Sequence, residues 1–207
     1  MRKIYLFRHA EPDFGGKQHV CLGCRTDAPL SELGMEQAAA LAKFFPDDKK
    51  FCVYSSFMAR AKQTAEAISR GRWEVMELPG IEEQDCGVWD GLSFDEIKLR
   101  WPKEYASRGE GYELLPPGGE GLQDCAERGL VAISGILDDA EDDIIIVAHS
   151  GINRAMISVL LDIPMSRSRS MPQAYASLNI IEWDGESLKP THIGLDAAEY
   201  FSKESVC

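Results

Sequence analysis

The chain has 207 residues, 44% of them hydrophobic and 27% charged, enough for one sizeable domain with an ordinary core. Its 22 Lys+Arg against 34 Asp+Glu leave a formal net charge of −12, which argues against nucleic acid or an anionic membrane as partner. No apolar run reaches the length of a membrane span and the N-terminus lacks a signal-peptide core, so a cytoplasmic protein is expected.

In chain order, residues 3–7 (KIYLF) are a near-continuous apolar run, the pattern of a strand buried on both faces, and they stop at Arg8-His9-Ala10-Glu11. Residues 10–30 form a long loop containing Gly15, Gly16, Gly23, Pro12 and Pro29, and so long a loop in a compact domain is usually functional. Ser31 is placed to cap a helix that runs to Phe45 and stops at Pro46. A second strand is expected over 51–55, a helix capped by Ser56 running to about Arg70, and a third strand over 73–78.

Residues 79–92 are loop-like. Ser93 and Glu96 make a capping-box pattern for a short helix ending near Trp101, before Pro102. Gly and Pro crowd residues 107–121, which marks a loop, and the lid candidate spans 102–121. A helix follows over 122–137, then a strand over 143–148 (DIIIVA) that runs straight into His149-Ser150-Gly151. A helix over 152–161 and a hairpin of 177–183 with 187–193, turning at Asp184-Gly185 as a type I′ turn, complete the assignable elements. The tail after residue 195 carries no signal. Strand–helix alternation of this kind implies an α/β fold, a three-layer α/β/α sandwich on a mainly parallel sheet within a single domain of residues 1–207.

Two buried strands each end in a histidine with an arginine close by, and open α/β sheets bind ligands at the carboxyl ends of their strands. One anion site built from both is therefore expected. The motif set extends this: Arg8-His9-Ala10-Glu11, then Leu22-Gly23 with residues 26–34, then 55–65 with Arg60, then 83–91, then His149-Ser150-Gly151. In that order the chain resembles the histidine phosphatase superfamily, the phosphoglycerate mutase-like proteins, from residue 4 to about residue 160. Ala10 stands where the family's first motif has glycine, which would strain the turn at positive φ and would otherwise narrow the pocket.

The resemblance implies roles that the side chains can fill. Arg8 and Arg60 can each present a planar fork to phosphoryl oxygens. Neutral His9 has a lone pair that can attack phosphorus, giving a phosphohistidine. His149 would donate to the phosphoryl oxygens, and with Ser150 it would bring backbone N–H groups of the following turn toward the anion. Glu83, rather than Glu82, is the expected general acid: a carboxyl beside a phosphate keeps the proton that the leaving alkoxide needs. Gly23 and Arg25 are further substrate-binding candidates, Arg25 against the plain reading of an exposed charge.

The function implied is a phosphohydrolase without metal or cofactor, acting on a small phosphorylated metabolite. The loop over residues 22–27 is similar to that of α-ribazole phosphatases of cobalamin assembly, which suggests α-ribazole 5′-phosphate. Phosphoglycerate mutase is the alternative within the family, and a non-catalytic phospho-ligand binding protein the alternative outside it. Cys21-Leu22-Gly23-Cys24 near His19 leaves a metal or redox role open, although the six cysteines of a chain without an export signal are expected to be reduced.

Overall fold

The N-terminal apolar run forms β1 (Arg2–Arg8) and lies inside a six-stranded sheet. The structure, a computed structural model, describes residues 1–16, 20–107 and 116–204. The other strands are β2 (Cys52–Ser55), β3 (Val75–Glu77), β4 (Ile144–Ala148), β5 (Leu178–Trp183) and β6 (Leu188–Leu195). Their order is β3-β2-β4-β1-β5-β6. The first four are mutually parallel and the last two add antiparallel to the β1 edge, so the sheet is mainly parallel, as expected.

Helices cover both faces. Tyr5 and Phe7 point to one side with Val53, Ile145 and Val147, packing on α1 (Glu32–Leu41) and α2 (Ala59–Ser69). Ile4, Leu6, Ile144 and Ile146 point to the other, onto α5 (Leu122–Leu137) and α6 (Ser150–Leu160). All five residues of β4 are buried, which is why its sequence shows no polar alternation. Each such aliphatic side chain stabilises the fold by about 1.5–3 kcal/mol. The three-layer sandwich is thereby present.

Local chemistry explains most boundaries. Ser31 caps α1, its Oγ accepting from the Gly34 N–H at 3.0 Å, and a 3₁₀ turn at Ala42–Phe44 finishes the helix before Pro46. Ser93 and Glu96 form the full capping box of α3 (Phe94–Arg100), with α4 (Pro102–Ser107) close behind. α2 starts later than a Ser56 cap would allow. Ser56 Oγ accepts from the Met58 N–H instead, and the Ala59 N–H donates to Asp27 Oδ1 of the long loop at 2.7 Å. The 184–187 connection is likewise not a two-residue type I′ turn. Of Asp184 and Gly185 only Gly185 has positive φ (+104°), and Asp184 Oδ1 accepts from the N–H groups of Glu186 and Ser187.

The tail forms a helix, α7 (Ala197–Glu204), capped by Asp196 Oδ1 and packed through Tyr200 and Phe201 beside Tyr5. Residues 108–115 of the lid candidate lie outside the described residues, and so does His19.

Parallel register sets the site. Arg8 sits opposite Ala148, and the His9 N–H donates to the Ala148 carbonyl at 3.0 Å, so His9 and His149 leave the sheet side by side. The Ser56 N–H donates to the Val147 carbonyl, which brings the β2–α2 connection to the same edge. Among the described residues no helix is long and apolar enough to cross a membrane.

Candidate active site

His9 and His149 form the floor, their ring centroids 5.1 Å apart at 60°. His9 is 4% exposed and His149 not at all. His9 Nδ1 lies 2.6 Å from the Ala10 carbonyl oxygen. A carbonyl can only accept, so Nδ1 carries the proton and Nε2 is left with its lone pair. Burial, reinforced by Arg60 and Arg8, holds His9 well below the usual histidine range. Burial does the same to His149, again with Arg60 the largest nearby charge. Both rings are therefore neutral at pH 7. Neither ring nitrogen of His149 has a hydrogen-bond partner among the described residues.

Ala10 does neither of the things expected of it. Its φ is not positive, and its methyl packs with Leu30, Ala38 and Ala176 behind the turn. Its N–H donates to Thr64 Oγ1 at 3.0 Å, so the turn is tied to α2.

Arg60, fully buried in the first turn of α2, donates to the carbonyls of Thr26 and Gly23 at 3.0 and 3.1 Å. The long loop thus holds this guanidinium by its backbone. Gly23 is therefore a support: its own N–H donates to Asp90 Oδ1, and its carbonyl holds Arg60. Arg8 donates from Nη1 to the Gln173 carbonyl at 2.6 Å and lies 3.9 Å from the centroid of the Tyr175 ring. Burial lowers both guanidinium pKa values, yet arginine stays charged at neutral pH.

Glu83 lines the same cavity, with its carboxylate on the first turn of α6. Oε2 accepts from the Gly151 N–H at 3.0 Å, and Oε1 from those of Ile152 and Gln84. The N–H groups expected to face an anion at this turn thus hold the Glu83 carboxyl instead. A Cβ at 151 would lie 2.5 Å from Glu83 Oε1, so any residue but glycine would push the carboxyl aside. Glu82 turns away to Arg128. Ser150 lines the cavity, and its Oγ accepts from Arg154 Nη1 at 2.5 Å.

Arg25 is outside this group. It is exposed, paired with Asp85 at 2.7 Å, and donates to the Gly118 carbonyl. Gly87, at φ +51°, is what lets this loop pack, because a Cβ there would sit 2.2 Å from the Pro117 carbonyl oxygen. The described cysteines are free thiols, and the Cys21 thiol meets Cys86, a contact that together with burial pushes the Cys86 thiol up. Among the described residues no group of three or more His, Cys, Asp or Glu side chains gathers as a metal site.

Sequence reasoning leaves out the segment 171–177. Its Gln173 carbonyl and Tyr175 ring hold Arg8, its Met171 carbonyl accepts from Arg154 Nε, and its Ala176 N–H donates to the His9 carbonyl. Buried Gln173, Asn153 and Asn179 bind one another beneath it. No motif marks this stretch; the Asn153-Arg154 pair after His149 is its only trace in the sequence.

Above the floor lies a cavity of about 310 Å³, bounded by Arg8, His9, Glu83, Ser150 and Arg154 at its base. Of the two histidines only His9 lines this space, with Glu83 and the Arg8, Arg154 and Arg169 guanidiniums, while His149 and Arg60 are fully buried outside its lining. The set suits a phosphoryl group and a small attached alcohol.

Known proteins share this arrangement of chain. Human 6-phosphofructo-2-kinase/fructose-2,6-bisphosphatase 4 is 31% identical over 166 residues, which is 78% of this chain and 33% of that protein. The chain thus spans about a third of the length of such relatives. The solved structure of Bacillus stearothermophilus YhfR superposes with a TM-score of 0.85 at 27% identity, covering 95% of this chain and 99% of that one. The α-ribazole phosphatase from Shigella flexneri shares the fold, with a TM-score of 0.79 at 22% identity, covering 93% of this chain and 96% of that one. The family profile itself matches residues 4–195, all of the sheet but the first two residues of β1 and with both histidine-bearing strand ends, and the chain belongs to the histidine phosphatase superfamily (branch 1).

Proposed function

We propose that the protein hydrolyses a small phosphate monoester through a phosphohistidine on His9, without a metal. The observation that carries this reading is the Nδ1 contact to the Ala10 carbonyl, which leaves an unprotonated Nε2 on a ring that lines the cavity. In the first step Nε2 attacks phosphorus, the P–O bond to the alcohol breaks, and Glu83 gives its proton to the leaving oxygen. In the second, water attacks the phosphoramidate, Glu83 takes the water proton, and inorganic phosphate leaves with His9 restored. Arg8, Arg60 and His149 stabilise the charge on the transferring group in both steps.

The non-catalytic alternative rests on Ala10 spoiling the nucleophile, and the packing of its methyl with Leu30 and Ala38 supports the hydrolase reading instead. Within the hydrolase reading, the resemblance of loop 22–27 favours α-ribazole 5′-phosphate as substrate. The test is turnover of 4-nitrophenyl phosphate and α-ribazole 5′-phosphate by the wild type and His9→Ala. Release of phosphate by the first and not the second is expected; equal rates would overturn the assignment of His9.

A further inference from the structure

The cavity has two chemically distinct parts. Its base is charged, and above it six apolar side chains come from three separate stretches: Phe14, Val20 and Leu22 of the long loop, Trp89 and Phe94 of the 83–94 stretch, and Leu122 at the start of α5; Gln84, Ser168, Arg169 and Tyr175 line the rest. Trp89 and Leu122 are buried and the other four are half-buried. The loop that holds Arg60 by its carbonyls is thus also the loop that supplies much of this wall.

From this juxtaposition we infer that the leaving group is a flat, ring-bearing, largely apolar alcohol, and that Phe14 and Phe94 select it. The inference rests on the phosphatase reading and adds the class of substrate. A leaving group that carries hydroxyls and no flat ring, such as a free sugar or glycerol, would set its hydroxyls against carbon, whereas the alcohol of α-ribazole 5′-phosphate brings a flat benzimidazole beside its ribose. Each hydroxyl left without a partner costs about 10-fold in binding. A ring gains area against Phe14, Trp89 and Phe94, where offset and edge contacts are favourable.

The test compares 2-phenylethyl phosphate with glycerol 3-phosphate, both esters of primary alcohols, so the bond broken is alike. The phenyl ester is expected to have kcat/KM higher by about 10- to 100-fold. Phe14→Ala and Phe94→Ala should each shrink that ratio several-fold; a ratio measured on one preparation does not depend on how much of the variant is folded. Calorimetry with 3-phenylpropylphosphonate and 3,4-dihydroxybutylphosphonate reads the same preference in binding, without turnover. A ratio of one or below, or a ratio unchanged in both variants, overturns the inference and leaves the phosphatase reading intact. Tighter binding of the phenyl phosphonate with no release from either ester supports the apolar selection and overturns the phosphatase reading instead.

Discussion

At the scale of single residues, the two histidines carry a pH signature. Their folded-state values lie well below the ordinary 6.5, so below that pH the unfolded chain takes up protons that the native chain does not. Stability therefore rises with pH across this window and falls on acidification, by up to about 1.4 kcal/mol per pH unit for each histidine. Urea unfolding at pH 7.5 and 5.5 should show His149→Gln less acid-sensitive than the wild type; identical losses would remove His149 as a contributor. Glu83→Gln keeps shape and loses the proton. An alkyl ester should lose about 10²–10⁴-fold in rate and an aryl ester clearly less in its phosphorylation step. Equal single-turnover losses would reduce Glu83 to a support. Gly151→Ala puts a methyl where Oε1 lies, and the displaced carboxyl should cost about 10²-fold with the same bias toward alkyl esters.

At the scale of elements, segment 171–177 is the least anticipated part of the site and its most testable support. Gln173→Leu strips partners from the buried amides of Asn153 and Asn179, which should cost about 1–3 kcal/mol in denaturant unfolding and weaken phosphate binding through Arg8. Unchanged stability would mean that the amides re-pair locally. This segment also shows what a sequence can and cannot reveal. β1, β4 and α5 were legible because burial writes itself into long apolar or helical patterns, and the capping box of α3 is a local signal. His9, Arg60 and His149 could be read from motif order. The Gln173 and Tyr175 contacts could not, because they join Arg8 to residues 165 and 167 positions away through a backbone oxygen and a ring face. α7 is hidden for a similar reason: it is short, and its stability comes from aromatic packing onto the 3₁₀ turn after α1 and onto β1. The start of α2 was misplaced because its capping carboxylate, Asp27, comes from a distant loop rather than the local serine.

At the scale of the whole molecule, a net charge of −12 surrounds a cavity base that holds the Arg8 and Arg154 guanidiniums, and the arginines must offset a repulsive field for any anionic substrate. They and the histidines can neutralise a transferring phosphoryl group by themselves, so activity should survive exhaustive chelation. A large loss restored by one divalent cation would contradict that. Hydrolysis should also outpace isomerisation of 3-phosphoglycerate, since the apolar wall gives a glycerate little to bind. Side-by-side assays in which interconversion wins would favour the mutase alternative. The central claim, a phosphoryl group carried on His9, is tested most directly by quenching a labelled-ester reaction at alkaline pH and mapping the label by peptide. The account predicts an acid-labile phosphoramidate on His9 that is absent from His9→Ala; label on serine or aspartate, or none during steady turnover, would contradict it.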